Sequence, residues 1–163
     1  MSKIFVDTIE PKTSGGAIGI KPCTFRMFNS QTVAQASGST VSLTYDTVEW
    51  DTHSITDLSN NRVVITNDTA GYWFISAKFS LDNTVPHRQV CWVYVNDTNT
   101  ISYEISTYSQ TTGAYPSIQS QGIIKVVSGD IITARGYHGH GSSKNQQAGR
   151  MKNGLEGYRI GVA

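Results

Sequence analysis

Charge is scarce in this chain. Asp, Glu, Lys and Arg make up 15% of its 163 residues, against roughly 25% in an average soluble protein, and they nearly cancel, to a net +1. No stretch gathers Lys and Arg into a basic run. Phosphate neutralisation, which drives nucleic-acid affinity, therefore has nothing to work with, and insertion into or adhesion to a membrane is equally unsupported. No apolar run approaches the roughly 18 residues of a spanning helix. The opening MSKIFVDTIEP has no basic segment followed by an apolar one, so a secretory signal is not expected. No window of about a dozen residues keeps helical spacing.

Catalytic signatures are missing as well. There is no G-x-S-x-G elbow, no phosphate loop and no H-E-x-x-H pair. Glu49 and Asp51, at i and i+2, would share one face of a strand. Two carboxylates can hydrolyse a glycoside, but no other feature of the sequence supports that chemistry, and both read as solvated edge charges. We expect no enzyme activity and no cofactor. Cys23 and Cys91 are the two cysteines. Cys91 lies in the apolar run VCWVYV and reads as a small buried hydrophobe. Two unbridged thiols are the main expectation, and a Cys23–Cys91 bridge the alternative, since sequence alone does not place their Cα atoms. Asn67-Asp68-Thr69 and Asn96-Asp97-Thr98 match the glycosylation pattern but read as turns.

What fills the chain is Thr, Ser, Asn, Gln and Gly around short runs of β-branched and aromatic residues. TVSLTYDTVEW alternates Val41, Leu43 and Tyr45 with polar neighbours. RVVIT is a short apolar strand. YWFISAKFSL places Trp73, Ile75, Ala77, Phe79 and Leu81 on one face. RQVCWVYV is apolar on both faces, as a strand between layers would be. TISYEISTY, QGIIKVV, IITARGYH and LEGYRIGVA follow, the last with Tyr158, Ile160 and Val162 on one face. About eight strands at spacings of roughly 8–12 residues predict an all-β antiparallel sandwich, jelly roll or barrel. Residues 1–28, broken by Pro11, Gly15, Gly16, Gly19 and Pro22, hold too few apolar residues for a core. They are expected to form an extended arm, with the domain over 29–163.

The order of these segments resembles the globular C1q/tumour-necrosis-factor family. AGYWFISAKFSL is similar to its "PGxYxF" strand, CWVYVND to the strand that ends in "KNG", Gly122–Ile132 to its "L-x-L-x-x-GD-x-V" hairpin, and Gly157-Tyr158-Arg159-Ile160 to its closing strand. The resemblance covers about residues 40–163 and implies a jelly-roll sandwich and a compact homotrimer. In that arrangement Phe25, Phe28, Tyr158, Ile160 and Val162 would lie between subunits. The family's frequent calcium site does not carry over, because the loop from Gly139 to Gly154 holds no Asp or Glu.

The leader KIFVDTIEPKTSGGAIGI resembles short N-terminal segments of phage fibre and virion proteins, which implies that Ile4, Val6 and Ile9 anchor the chain to other virion proteins. His138 and His140, two apart in YHGHG, either form an exposed loop pair or, as a ring around a threefold axis, hold a metal. Tyr108, Tyr115 and Tyr137 flank polar loops and either contact a glycan or protein ligand or are scattered surface rings. With His138 and His140, they are the expected ligand-facing set. The leading expectation is a trimeric bacteriophage fibre or knob module that attaches to a host-surface glycan or protein, located on the virion. The rival is a capsid decoration protein that stabilises the head. A cellular C1q-like binding protein is more remote, given the missing signal.

Overall fold

The computed structural model describes residues 22–82, 87–107 and 117–162, with backbone alone at 87 and 102–107. Thirteen strands follow in chain order: β1 (Thr24–Phe28), β2 (Val33–Gln35), β3 (Val41–Ser42), β4 (Thr47–Asp51), β5 (Thr56–Asp57), β6 (Arg62–Val64), β7 (Gly71–Ser80), β8 (His87–Val95), β9 (Thr98–Thr107), β10 (Ser117–Val126), β11 (Ile131–His138), β12 (Lys144–Gln146) and β13 (Gly154–Gly161). Among the described residues there is no α-helix, only one 3-10 turn at Leu58–Asn60. The expected all-β antiparallel jelly-roll sandwich is what forms.

One sheet runs β10-β7-β13-β1-β4 and the other β5-β6-β11-β8-β9, with β3 added to β11. The small β12–β2 pair bridges the two sheets. Gln35 donates to Gly136 O of β11, and Gln146 forms a bridge with Leu81, just past β7.

The core lies between the two inner faces. Trp73, Ile75, Ala77, Phe79 and Leu81 are all buried, so the period-two reading of this segment holds residue by residue. Phe25 packs on Trp73 with ring centroids 5.8 Å apart, and the Trp73 indole donates to Thr69 O at 2.8 Å. From the second sheet come Cys91, Val93, Ile132 and Ala134. Cys23 and Cys91 are both buried thiols.

Three expectations change. First, the boundary drawn at residue 28 falls inside a sheet. β1 sits between β13 and β4, with Thr24 opposite Tyr158 and Phe28 opposite Gly154. Burial of Phe25 and Met27 makes it part of the body. Second, TVSLTYDTVEW is two strands, because the chain crosses between sheets at this point. Ser42 pairs with Arg135 of one sheet, and Trp50 with Arg26 of the other. Leu43 and Tyr45 fill the core at the crossing, and Tyr45 N donates to the Asn61 side chain at 2.7 Å. Third, the register of β4 on β1 shifts between Arg26 and Met27. This bulge takes Glu49 and Asp51 off a common face.

Candidate functional site

The outer face of the five-stranded sheet concentrates what the fold leaves apolar and exposed. Register places Thr24, Tyr158, Phe74 and Ile123 in one row across four strands. Trp50, Arg26, Glu156, Ser76 and Gln121 form the next row. Beyond the first row, toward the chain end, lie Tyr72 and, at the bulge where the register shifts between Arg159 and Gly161, Ile160. Among the described residues, eight large hydrophobics are exposed, and five belong to this face: Trp50, Tyr72, Ile123, Tyr158 and Ile160. Ile123 is 64% exposed.

Local contacts hold these side chains in place. Tyr158 stacks on Phe74. The Lys125 ammonium lies over the Tyr72 ring at 5.8 Å from its centroid, and the Arg26 guanidinium over Trp50 at 5.2 Å. A shallow depression of about 390 Å³ opens on this face, lined by Thr24, Phe25, Trp50, Phe74, Glu156, Gly157 and Tyr158.

A charged row crosses the same face. Arg26 Nε lies 3.1 Å from Glu156 Oε2 and Arg26 Nη1 3.4 Å from Glu49 Oε2. Glu49 Oε1 accepts from Arg150 Nη1 at 2.5 Å, and Lys78 Nζ stands 3.9 Å from Glu156 Oε1. Arg26 is the centre of this row, with only 14% of its side chain exposed. Glu49 is therefore a partner of arginines. Asp51 is occupied separately, accepting from the Thr56 backbone and hydroxyl at 2.7 and 2.8 Å. These bonds hold its carboxyl below the usual range against the burial that raises it. The two carboxylates do not share the strand face expected from the sequence.

The expected interface residues divide. Tyr158 and Ile160 are on the exposed face and Phe28 is half-buried at its edge, whereas Val162 is exposed past the end of β13, beyond the bulge between Arg159 and Gly161 that interrupts the alternation. Phe25 is a correction: its ring points into the sandwich against Trp73, buried by its own chain. His138 is another. Alternation along β11 turns it inward, where it is buried, and Nε2 donates to Gln35 O at 3.1 Å. His140 is half-buried with its ring centroid 6.0 Å from that of His138. Among the described residues no group of three His, Cys, Asp or Glu side chains is placed to hold a metal. Tyr137 lies half-buried on the outer face of the second sheet, under the Arg88 guanidinium at 5.4 Å. Tyr108, Tyr115, Ile4, Val6 and Ile9 lie outside the described residues.

Trp50, Tyr72, Ile123 and the Arg26–Glu49–Glu156 row do not stand out in the sequence. A signal for Ile123 is present in QGIIKVV, where one of two adjacent isoleucines must face outward on a strand. The charged row becomes visible only once distant strands are paired.

No protein-family model and no curated protein matches the sequence. Solved structures do. The globular domain of zebrafish complement 1qA superposes with a TM-score of 0.63 at 10% identity, covering 88% of this chain and all of that one. Eiger TNF from S. frugiperda gives 0.64 at 13%, covering 88% and 96%. Murine APRIL at pH 8.0 gives 0.63 at 13%, covering 86% and 100%. At these identities the likeness is one of architecture, and the chain has the C1q/TNF-like jelly-roll fold.

Proposed function

We propose that this chain is a non-enzymatic, self-associating surface module, a homotrimer packed through the outer face of its five-stranded sheet. The observation that carries the reading is the gathering of five of the eight large hydrophobics exposed among the described residues on that face. Contiguous apolar patches on a folded domain mark interaction surfaces, and each Å² of apolar surface covered there is worth about 25 cal/mol before the cost of association. Three copies, rather than another closed number, is what the C1q/TNF resemblance implies. The proposed setting is a bacteriophage particle, where the module serves as a fibre or knob for host attachment. Support for that setting is the leader at residues 3–20, whose Ile4, Val6 and Ile9 would engage other virion proteins. Tyr137, at the end of β11, and His140, just past it, would meet the host glycan or protein. Three weak sites on one trimer gain avidity without new contacts.

Sedimentation of the full chain tests the assembly: the expected mass is three times 17.8 kDa, and a monomer at high micromolar concentration overturns it. An antibody against residues 138–154, applied to intact particles, tests the setting. Label at the tail supports attachment, label over the head makes the chain a decoration protein, and no label on particles removes the virion reading.

A further inference from the structure

We infer that self-association through this face is gated by pH, with the Arg26–Glu49–Glu156 row as the gate. The inference rests on the self-association reading and adds its regulation. Within one chain the row holds three cations, Arg26, Lys78 and Arg150, against two carboxylates, Glu49 and Glu156. β1 supplies Arg26, β4 Glu49, β7 Lys78, β13 Glu156 and the turn before β13 Arg150. The facing positions of β10 carry the neutral Gln119 and Gln121. The row adjoins the Tyr158–Phe74–Ile123 row directly, so a second copy covering the aromatic rings also takes water from the ion pairs.

In a separate chain, water compensates whatever the carboxylates leave unpaired. Under a second copy it does not, and a guanidinium stripped of its counter-charge is costly. Glu49 Oε2 is already buried, with the Arg26 guanidinium as its counter-charge. Protonating Glu49 and Glu156 leaves three positive charges per copy uncompensated inside the contact. The assembled state therefore binds those protons less well than separated copies do, and proton uptake draws the copies apart. Association is strong while both carboxylates are charged and fails in acid, once protons neutralise them.

The test is sedimentation of the full chain at pH 7.5 and pH 4.0, at equal ionic strength, with far-ultraviolet circular dichroism confirming that strands persist. For the wild type, the half-dissociation concentration should rise at least tenfold at pH 4.0. The Glu49→Gln/Glu156→Gln double variant should already associate at least tenfold more weakly at pH 7.5 and lose the pH response. Glu156→Gln alone, at an outward position with 30% of its side chain exposed, serves if the double variant does not fold. If the wild type loses its strands at pH 4.0, the pH 7.5 comparison of variant with wild type decides. Unchanged wild-type mass at pH 4.0, or variants that associate like the wild type at pH 7.5, overturns the gate. A 17.8 kDa species at pH 7.5 overturns the self-association reading itself.

Discussion

Tyr158 stacks on Phe74 across the β13–β7 pair, with ring centroids 5.2 Å apart and planes 25° from parallel. The stack fixes a ring that remains half exposed to water. A side chain held this way loses little further freedom when a second surface covers it, which is what makes rigid aromatics effective at contacts.

Tyr158→Asp should therefore abolish self-association while leaving the domain folded. The side chain points outward, so no core packing is lost. The carboxylate would have to be buried beside Phe74 and Ile123 in an assembled contact. The expected result is a monomer by sedimentation with a melting temperature close to that of wild-type monomer. A Tyr158→Asp protein that keeps the wild-type mass would place the contact elsewhere.

One residue before Tyr158 the constraint comes from inside. A Cβ at Gly157 would stand 2.5 Å from Ile75 Cδ1 and 2.8 Å from Phe25 Cε1. Gly157→Ala should destabilise the fold by about 1–3 kcal/mol through overpacking. Ile75→Val removes the nearer of the two atoms, so the double variant should lose less than the sum of the singles. Urea midpoints of the four proteins measure the coupling, and strict additivity would contradict a direct clash between the two positions.

The strands that alternate cleanly were legible in the sequence, because one face of each is buried and the other is not. Trp73 through Leu81 is the clearest case. Residues 41–51 were not, since alternation continues through Leu43 and Tyr45 even where the chain leaves one sheet for the other. Pairing between distant segments was invisible too. Nothing in the sequence says that Thr24–Phe28 slots between β13 and β4, so Phe25 reads as an interface residue rather than a core ring. His138 misled for a related reason. Its Gly-rich neighbours suggested a loop, yet the strand reaches it and the period turns it inward. The candidate face needed both kinds of information: alternation to say which side chains face out, and strand order to say which of them are neighbours.

Asn153 offers a test of how the turn before β13 is held. It is buried, its Oδ1 accepts from Ser80 N at 2.9 Å, and its Nδ2 donates to Ser80 O at 3.1 Å and to Gln147 O. One side chain thus satisfies the end of β7 and the loop leading to β13 together. Asn153→Ala takes away the acceptor of Ser80 N, while Ser80 O keeps the Gln147 N–H at 2.9 Å, and should cost about 1–3 kcal/mol. Asn153→Asp should be worse, because a carboxylate would face the Ser80 and Gln147 carbonyls. Denaturant midpoints check both, and an Asp variant more stable than the Ala variant would contradict the assigned amide orientation.

Cys91 gives the pH-linked prediction on the folded domain. Burial pushes its thiol up to about 12, and its Sγ faces Ala77 O at 3.6 Å. In the unfolded chain a cysteine titrates near about 8.5. The folded state thus keeps the proton over a range where the unfolded state releases it. For a raised acid the associated stability is present below the unfolded value, and it drains away as pH rises from about 8.5 toward 12. Two outcomes follow. At pH 8 the native thiol should resist a thiol reagent that reacts within minutes once the chain is unfolded in guanidinium, because thiolate is the reactive form. And wild type should lose more stability than Cys91→Ala between pH 7 and pH 10, narrowing the gap left by the smaller side chain. Rapid labelling of native Cys91 at pH 8, located by peptide mass, would mean that β8 opens far more readily than its place between β11 and β9 allows.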